Sequence, residues 1–160
     1  MSIIIRRAAS DDVESLTSLV ALKRAELERH EPVMWRRSKD ADEMTRNFYR
    51  YQVEEDSVIL LVAEIEGRVA GFINGVLQNA PPVYDPGGKA LMVDDFVVEA
   101  GDSGDLAAHA LLDAVKSEGR ARGAVQMIVV SAARDERAAS WFRAKGLHVA
   151  STWWNCVLSH

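Results

Sequence analysis

The chain has 160 residues, 48% of them hydrophobic and 27% charged, enough to bury a substantial core in one domain spanning residues 1–160. Its formal net charge of −5 argues against a general binder of nucleic acid or of anionic membranes. A single cysteine, Cys156, excludes an internal disulfide and a cysteine-rich zinc site, and His30, His109, His148 and His160 show no paired metal-ligand spacing. The apolar part of Met1 to Arg7 is too short for a signal peptide, and no apolar run approaches a membrane span. These features read as a reduced, cytoplasmic protein.

In chain order, Ile3 to Arg6 predicts a first strand, and Ser10 or Asp11 predicts the cap of a helix whose Val13, Leu16, Val20 and Leu27 share one face. Glu31-Pro32 ends that helix. A second helix, near Asp40 to Glu54, carries Met44, Phe48 and Tyr51 at helical spacing, the pattern of a buried stripe. A hairpin follows, Val58 to Ile65 and Val69 to Leu77 around Glu66-Gly67-Arg68, and then a loop rich in proline and glycine from Asn79 to Gly88. Leu91 to Val98 predicts an apolar strand, Asp102 to about Arg120 a helix, Val125 to Val130 a strand, and Asp135 onward a helix that Gly146 ends. The segment His148 to Leu158 is expected to be extended, with Trp153 and Trp154 on opposite faces, one of them a candidate dimer surface. Alternation of this kind predicts a mixed α/β sheet with packed helices.

The unit from Lys89 to Leu147 has functional content. Its turn Glu99-Ala100-Gly101-Asp102-Ser103-Gly104-Asp105 joins a strand to a helix, and amides at a helix start can hold a phosphate or carboxylate. Taken alone, Gly101 and Gly104 are turn-formers; their place after the strand raises them. The turn lacks the lysine of a P-loop.

Four passages together resemble the GNAT superfamily of acyl-coenzyme A N-acyltransferases: Ile5-Arg6-Arg7-Ala8 with Asp11-Asp12, the hairpin Leu61 to Ile73, the strand Val93-Asp94-Asp95-Phe96-Val97-Val98, and Asp135-Glu136-Arg137-Ala138 through Trp141-Phe142 with Gly146-Leu147. The resemblance implies an α/β fold with a mostly antiparallel, splayed central sheet flanked by helices on both faces. It implies acetyl-coenzyme A as acyl donor, its pantetheine arm lying against Phe96, Val97 and Val98, and direct attack by a substrate amine. An ammonium near the lysine reference pKa of about 10.4 must first lose a proton. Strand amides would stabilise the developing oxyanion and a carboxylate, Asp94 or Asp95, would accept that proton.

The window matching the family's pyrophosphate loop is Ser103-Gly104-Asp105-Leu106-Ala107-Ala108, in which Ser103 replaces a cation or amide and Leu106 replaces a glycine. Asp94, Asp95, Glu99, Asp102 and Asp105 surround it in sequence, with no Lys or Arg from residue 90 to 108. Asp135 stands where the family commonly has asparagine, and Phe142 where a tyrosine often protonates the thiolate. A thiol with a pKa near the cysteine reference of about 8.5 leaves without that help. Ala138 falls in the same cofactor-facing helix start, and Arg134 and Arg137 are the candidates to replace the missing phosphate contacts.

On the acceptor side the resemblance points to His30 and Glu31, and Tyr84 is a candidate substitute acid, although exposed loop residues of these types ordinarily have no such role. Adjacent strand residues point to opposite faces, so only one of Asp94 and Asp95 is expected to face a given cleft. His109 shares a solvated face with Asp113, Lys116 and Arg120. The sequence thus reads as an acetyltransferase acting on a small-molecule amine, with the acids suiting a polyamine-like acceptor. A competing reading is a non-catalytic ligand-binding or regulatory module on the same fold; a third is an interaction module pairing through its tryptophan-rich terminal strand.

Overall fold

The structure is a computed structural model that describes residues 2–158, so Met1 and His160 lie outside the described residues. Strand β1 (Ile3–Arg7) leads through a 3-10 turn, Ser10–Asp12, into α1 (Val13–His30). Arg6 fixes that entry: its guanidinium donates to both carboxylate oxygens of Asp12 at 2.7 and 2.9 Å and to Glu64 at 2.9 Å. Asp12 in turn accepts the Ala9 amide at 2.8 Å, closing a box at the helix start. The guanidinium holds the Asp12 carboxyl below the usual carboxylate range.

Next come α2 (Ala41–Gln52), the hairpin β2 (Val58–Ile65) and β3 (Arg68–Gln78), β4 (Lys89–Val98), α3 (Asp102–Ala121), β5 (Ala124–Val129) and α4 (Glu136–Ala144). Glu66 and Gly67 both have positive φ, 51° and 78°, the turn that matches the twist of a two-residue hairpin. The strands lie in chain order in one five-stranded sheet, antiparallel from β1 to β4 and parallel between β4 and β5. Both faces are covered. Val58, Leu60 and Val62 of β2 pack with Val13, Leu16 and Val20 of α1 and Tyr49 of α2, whereas Ile59, Leu61 and Ile65 pack with Leu111 and Val115 of α3. A strand buried on both sides explains why β2 shows no polar alternation.

Two sequence expectations are corrected. The stripe Met44, Phe48 and Tyr51 is 64%, 42% and 62% exposed, and α2 instead buries Thr45, Tyr49 and Gln52. The helix is turned by one residue because the sheet beneath it presents hydrogen-bonding groups that Tyr49 and Gln52 satisfy. The segment 148–158 carries no strand, and Trp153 and Trp154 are both exposed, at 75% and 93%, rather than divided between two faces. Among the described residues α4 buries none of its side chains fully and rests on aromatic edges, with Trp141 5.6 Å from Phe96 and 5.7 Å from His109.

Gly104 sets the approach of α3 to the end of β4. A Cβ there would overlap the carbonyl oxygen of Glu99. Gly104→Ala should therefore cost about 1–3 kcal/mol, as overpacking against rigid backbone does. Urea denaturation reads this out as a lower midpoint at unchanged slope, and an unaltered midpoint would contradict the packing.

Candidate functional site

The site begins with a break in strand register. On β3, Asn74 faces Asp95 and the next residue, Gly75, faces Val93, so Asp94 is an extra residue on β4. Such a bulge kinks a strand and re-aims its side chains. Val93 belongs to the core under α3, whereas Asp95 reaches α1 and α2. Asp94 and Asp95 consequently line one cleft, against the expectation that a regular strand would separate them.

Asp95 is held from two sides. The Tyr49 hydroxyl donates to Oδ2 at 2.5 Å and the Lys23 ammonium to Oδ1 at 3.0 Å. Lys23 also donates to the Asp94 carbonyl at 3.1 Å, giving a partner to the backbone of the bulge residue. Tyr49 is fully buried; desolvation, followed by the Asp95 charge, keeps its hydroxyl protonated far above the ordinary tyrosine range. Two further polar pairs hold α2: Asn74 Nδ2 donates to Gln52 Oε1 at 3.5 Å, and Arg24 donates to the Thr45 hydroxyl. Asn74 Oδ1 has no hydrogen-bond partner among the described residues.

Asp94 is different. The residue is exposed at the cleft, yet protein crowds its carboxylate. Desolvation first, and the Asp95 charge second, raise its pKa, while Lys23 pulls it down.

The cleft, about 650 Å³, is of a size that holds a small molecule. Its walls come from α1, α2, β4 and the connection between α1 and α2, with Leu27, Met34, Trp35 and Phe48 as apolar surface. Lys23, Arg24, Arg36 and Arg37 also line it. The predicted acceptor residues do not. His30 faces Glu26 at 3.5 Å, the Glu31 amide closes the last turn of α1 onto Leu27, and Tyr84 lines a separate pocket beside the outer half of β4.

Beyond Val93 and Val129 no residue of β5 pairs with β4 among the described residues, although β4 stays paired with β3 as far as Val98. The two parallel strands have parted, leaving the backbone edge from Asp94 to Val98 open on that side. Phe96 is half-buried beside this opening with its ring 6.4 Å from that of Phe142, Val97 is buried toward α1 and α2, and Val98 packs toward α3. At the start of α3, Gly101 has a φ of 95° and Ser103 lies in the first turn. The Asp105 amide already donates to the Gly101 carbonyl at 3.0 Å. Leu106 is 48% exposed there, whereas Ala107 and Ala108 turn their side chains into the core.

Cations absent from this stretch of sequence reach it in space. Arg68 makes a two-pronged contact with Glu99, one arm at 2.7 Å, and Arg137 lies 4.0 Å from Asp105. Arg134 donates to the His30 carbonyl at 3.3 Å, tying the β5–α4 connection to the end of α1. Asp135 spends its carboxylate as the cap of α4, accepting the Ala138 amide at 2.9 Å.

Sequence reasoning missed Lys23, Tyr49 and Asn74. Asn74 could have been found as the one amide in the apolar run Ala70 to Leu77; the other two carry no such signal.

No family model matches the sequence, and no curated protein matches it significantly. Solved structures do match over nearly full length. A mutant of the BH1408 protein from Bacillus halodurans has a TM-score of 0.85 at 17% identity, covering 98% of this chain and 99% of its own. A predicted acetyltransferase from Clostridium acetobutylicum, solved with acetyl-CoA, has a TM-score of 0.72 at 16% identity, with 98% and 96% covered. An aminoglycoside N-acetyltransferase in complex with CoA has a TM-score of 0.74 at 14% identity, with 98% and 95% covered. The chain has the fold of these acetyltransferases, a mostly antiparallel splayed sheet with helices on both faces.

The buried contacts of α2 make a direct prediction. Tyr49→Phe removes a hydrogen bond to a partly buried carboxylate and should cost about 1.5–3 kcal/mol. Tyr51→Phe, on the face expected from sequence, should stay within about 0.5 kcal/mol. Chemical denaturation of the two variants measures the contrast, and equal losses would refute the register of α2.

Proposed function

We propose that the protein is an N-acetyltransferase that transfers an acetyl group from acetyl-coenzyme A to the amine of a small molecule. The observation that carries this reading is the bulge at Asp94, which brings an incompletely solvated carboxylate to a small-molecule cleft at the point where β4 parts from β5. Donor and acceptor would meet there, one along the open edge of β4 and the other in the cleft.

The donor supplies an acetyl thioester. The amine nitrogen bonds to the acetyl carbon as the carbon–sulfur bond breaks, and the amine proton passes to Asp94, directly or through water. Asp95 acts differently: with Tyr49 and Lys23 on its oxygens it is a positioning residue that fixes the bulge. Phe142 cannot protonate the departing sulfur, so the thiolate leaves on its own low basicity. At the start of α3, Arg68 offsets Glu99 and Arg137 offsets part of the Asp105 charge, which lowers the repulsion a pyrophosphate would meet there. The exposed Leu106 favours the second reading, a non-catalytic ligand-binding module, and the donor titration below separates the two.

Asp94→Asn should lower kcat by about 10²- to 10⁴-fold, the usual contribution of a general base, with donor binding retained. Thiol release and calorimetric titration with acetyl-coenzyme A measure the two quantities. A kcat unchanged within threefold would remove Asp94 from the chemistry, and no donor binding at millimolar concentration would remove the transferase reading.

The acid limb of kcat/KM tests the same carboxylate. A base must be deprotonated, and burial raises the Asp94 pKa, so activity should fall with decreasing pH earlier than it would for an ordinary aspartate. Lys23→Met deletes the cation that opposes this rise and should move the limb to higher pH. A shift to lower pH would contradict the assignment.

A further inference from the structure

The charges lining the cleft do not match the polycation that the sequence's acids suggested. Lys23 is matched by Asp95 at 3.0 Å, and Arg37 by Glu28 at 2.9 Å. Two guanidinium groups remain. Arg24 is directed to a neutral partner, the hydroxyl of buried Thr45, which itself donates to the Ala41 carbonyl at 2.6 Å and so is fixed by α2. One contact of this kind leaves most of the five N–H donors of a guanidinium unused. Arg36 makes no hydrogen bond or ion pair among the described residues, feels Glu28 only at longer range, and lies in the α1–α2 connection beside Trp35. Asp94 lines the same cleft, outside any ion pair among the described residues.

We infer that the acceptor is a zwitterion: an amine that also carries an oxyanion, carboxylate or phosphonate, on a short apolar skeleton. Asp94 receives the amine end, and Arg24 and Arg36 receive the oxyanion, for which a planar guanidinium fork is well suited. Leu27, Met34, Trp35 and Phe48 offer the skeleton an apolar wall. A polyamine would bring a second and third ammonium against Arg24, Arg36 and Arg37, and like charges in a confined site cost several kcal/mol. This inference rests on the transferase reading for its reaction but on the cleft alone for its ligand.

The test compares phenylalanine, its phosphonate analogue, phenethylamine and spermidine as acceptors, with kcat/KM for each and calorimetric binding of each in the presence of coenzyme A. The expected result is at least tenfold preference for one of the two anionic acceptors over phenethylamine, with spermidine poorest. Which of the two leads identifies the oxyanion. Arg36→Ala, an exposed loop change that leaves folding intact, should shrink that preference at least tenfold, and Arg24→Lys should shrink it through loss of the fork. Phenethylamine or spermidine preferred, or a preference indifferent to both arginines, would overturn the inference. If nothing is acetylated, the binding arm decides: arginine-dependent binding of the anionic ligands keeps the inference and sinks the transferase reading, whereas no binding of either sinks both.

Discussion

A single carboxylate, Asp95, ties together three elements, β4, α1 and α2. It joins β4 to α2 through Tyr49 and to α1 through Lys23, and the same lysine holds the carbonyl of the bulge residue. Burying a charge is costly unless it is hydrogen-bonded and paired, and Asp95 is both. Removing either partner leaves that cost uncompensated. The bulge, the buried face of α2 and the cleft all meet at this one charge.

The arrangement gives two adjacent acids different surroundings. Asp95 is committed to structure, with Tyr49 and Lys23 on its two oxygens. Asp94, displaced by the bulge, has no such commitment and sits where protein crowds it. In the proposed reaction Asp94 is the base and Asp95 stays a positioning residue. The opening between β4 and β5 gives Asp94 a second neighbour, the open backbone edge along which the proposed acyl donor would lie.

Much of the fold was legible in the sequence. Strong apolar runs defined β2, β3 and β4, and Gly123 and Gly146, both at positive φ, mark the ends of α3 and α4. The rotation of α2 was not legible, since Met44, Phe48 and Tyr51 make a more apolar stripe than Thr45, Tyr49 and Gln52 at the same spacing. Only the polar groups of Asn74 and Asp95, brought from distant strands, make the second face the better one to bury. The bulge at Asp94 was hidden for a related reason: one extra residue on a strand leaves no mark in composition. The charge at the start of α3 was half legible: Arg137, already a candidate there, lies near Asp105, whereas Arg68 reaches Glu99 from a hairpin that the sequence did not connect with it. At the acceptor side the sequence pointed to His30, Glu31 and Tyr84, whereas the cleft is built from residues either side of them.

A double-mutant cycle on unfolding free energy tests the central role of Asp95 most directly. Tyr49 and Lys23, changed to Phe and Met, share no hydrogen bond among the described residues and meet on that carboxylate. The account predicts departure from additivity of about 0.5–3 kcal/mol, the range for residues sharing one network, and its disappearance when the cycle is repeated on Asp95→Asn. Additivity within about 0.3 kcal/mol on the unaltered Asp95 background would contradict it.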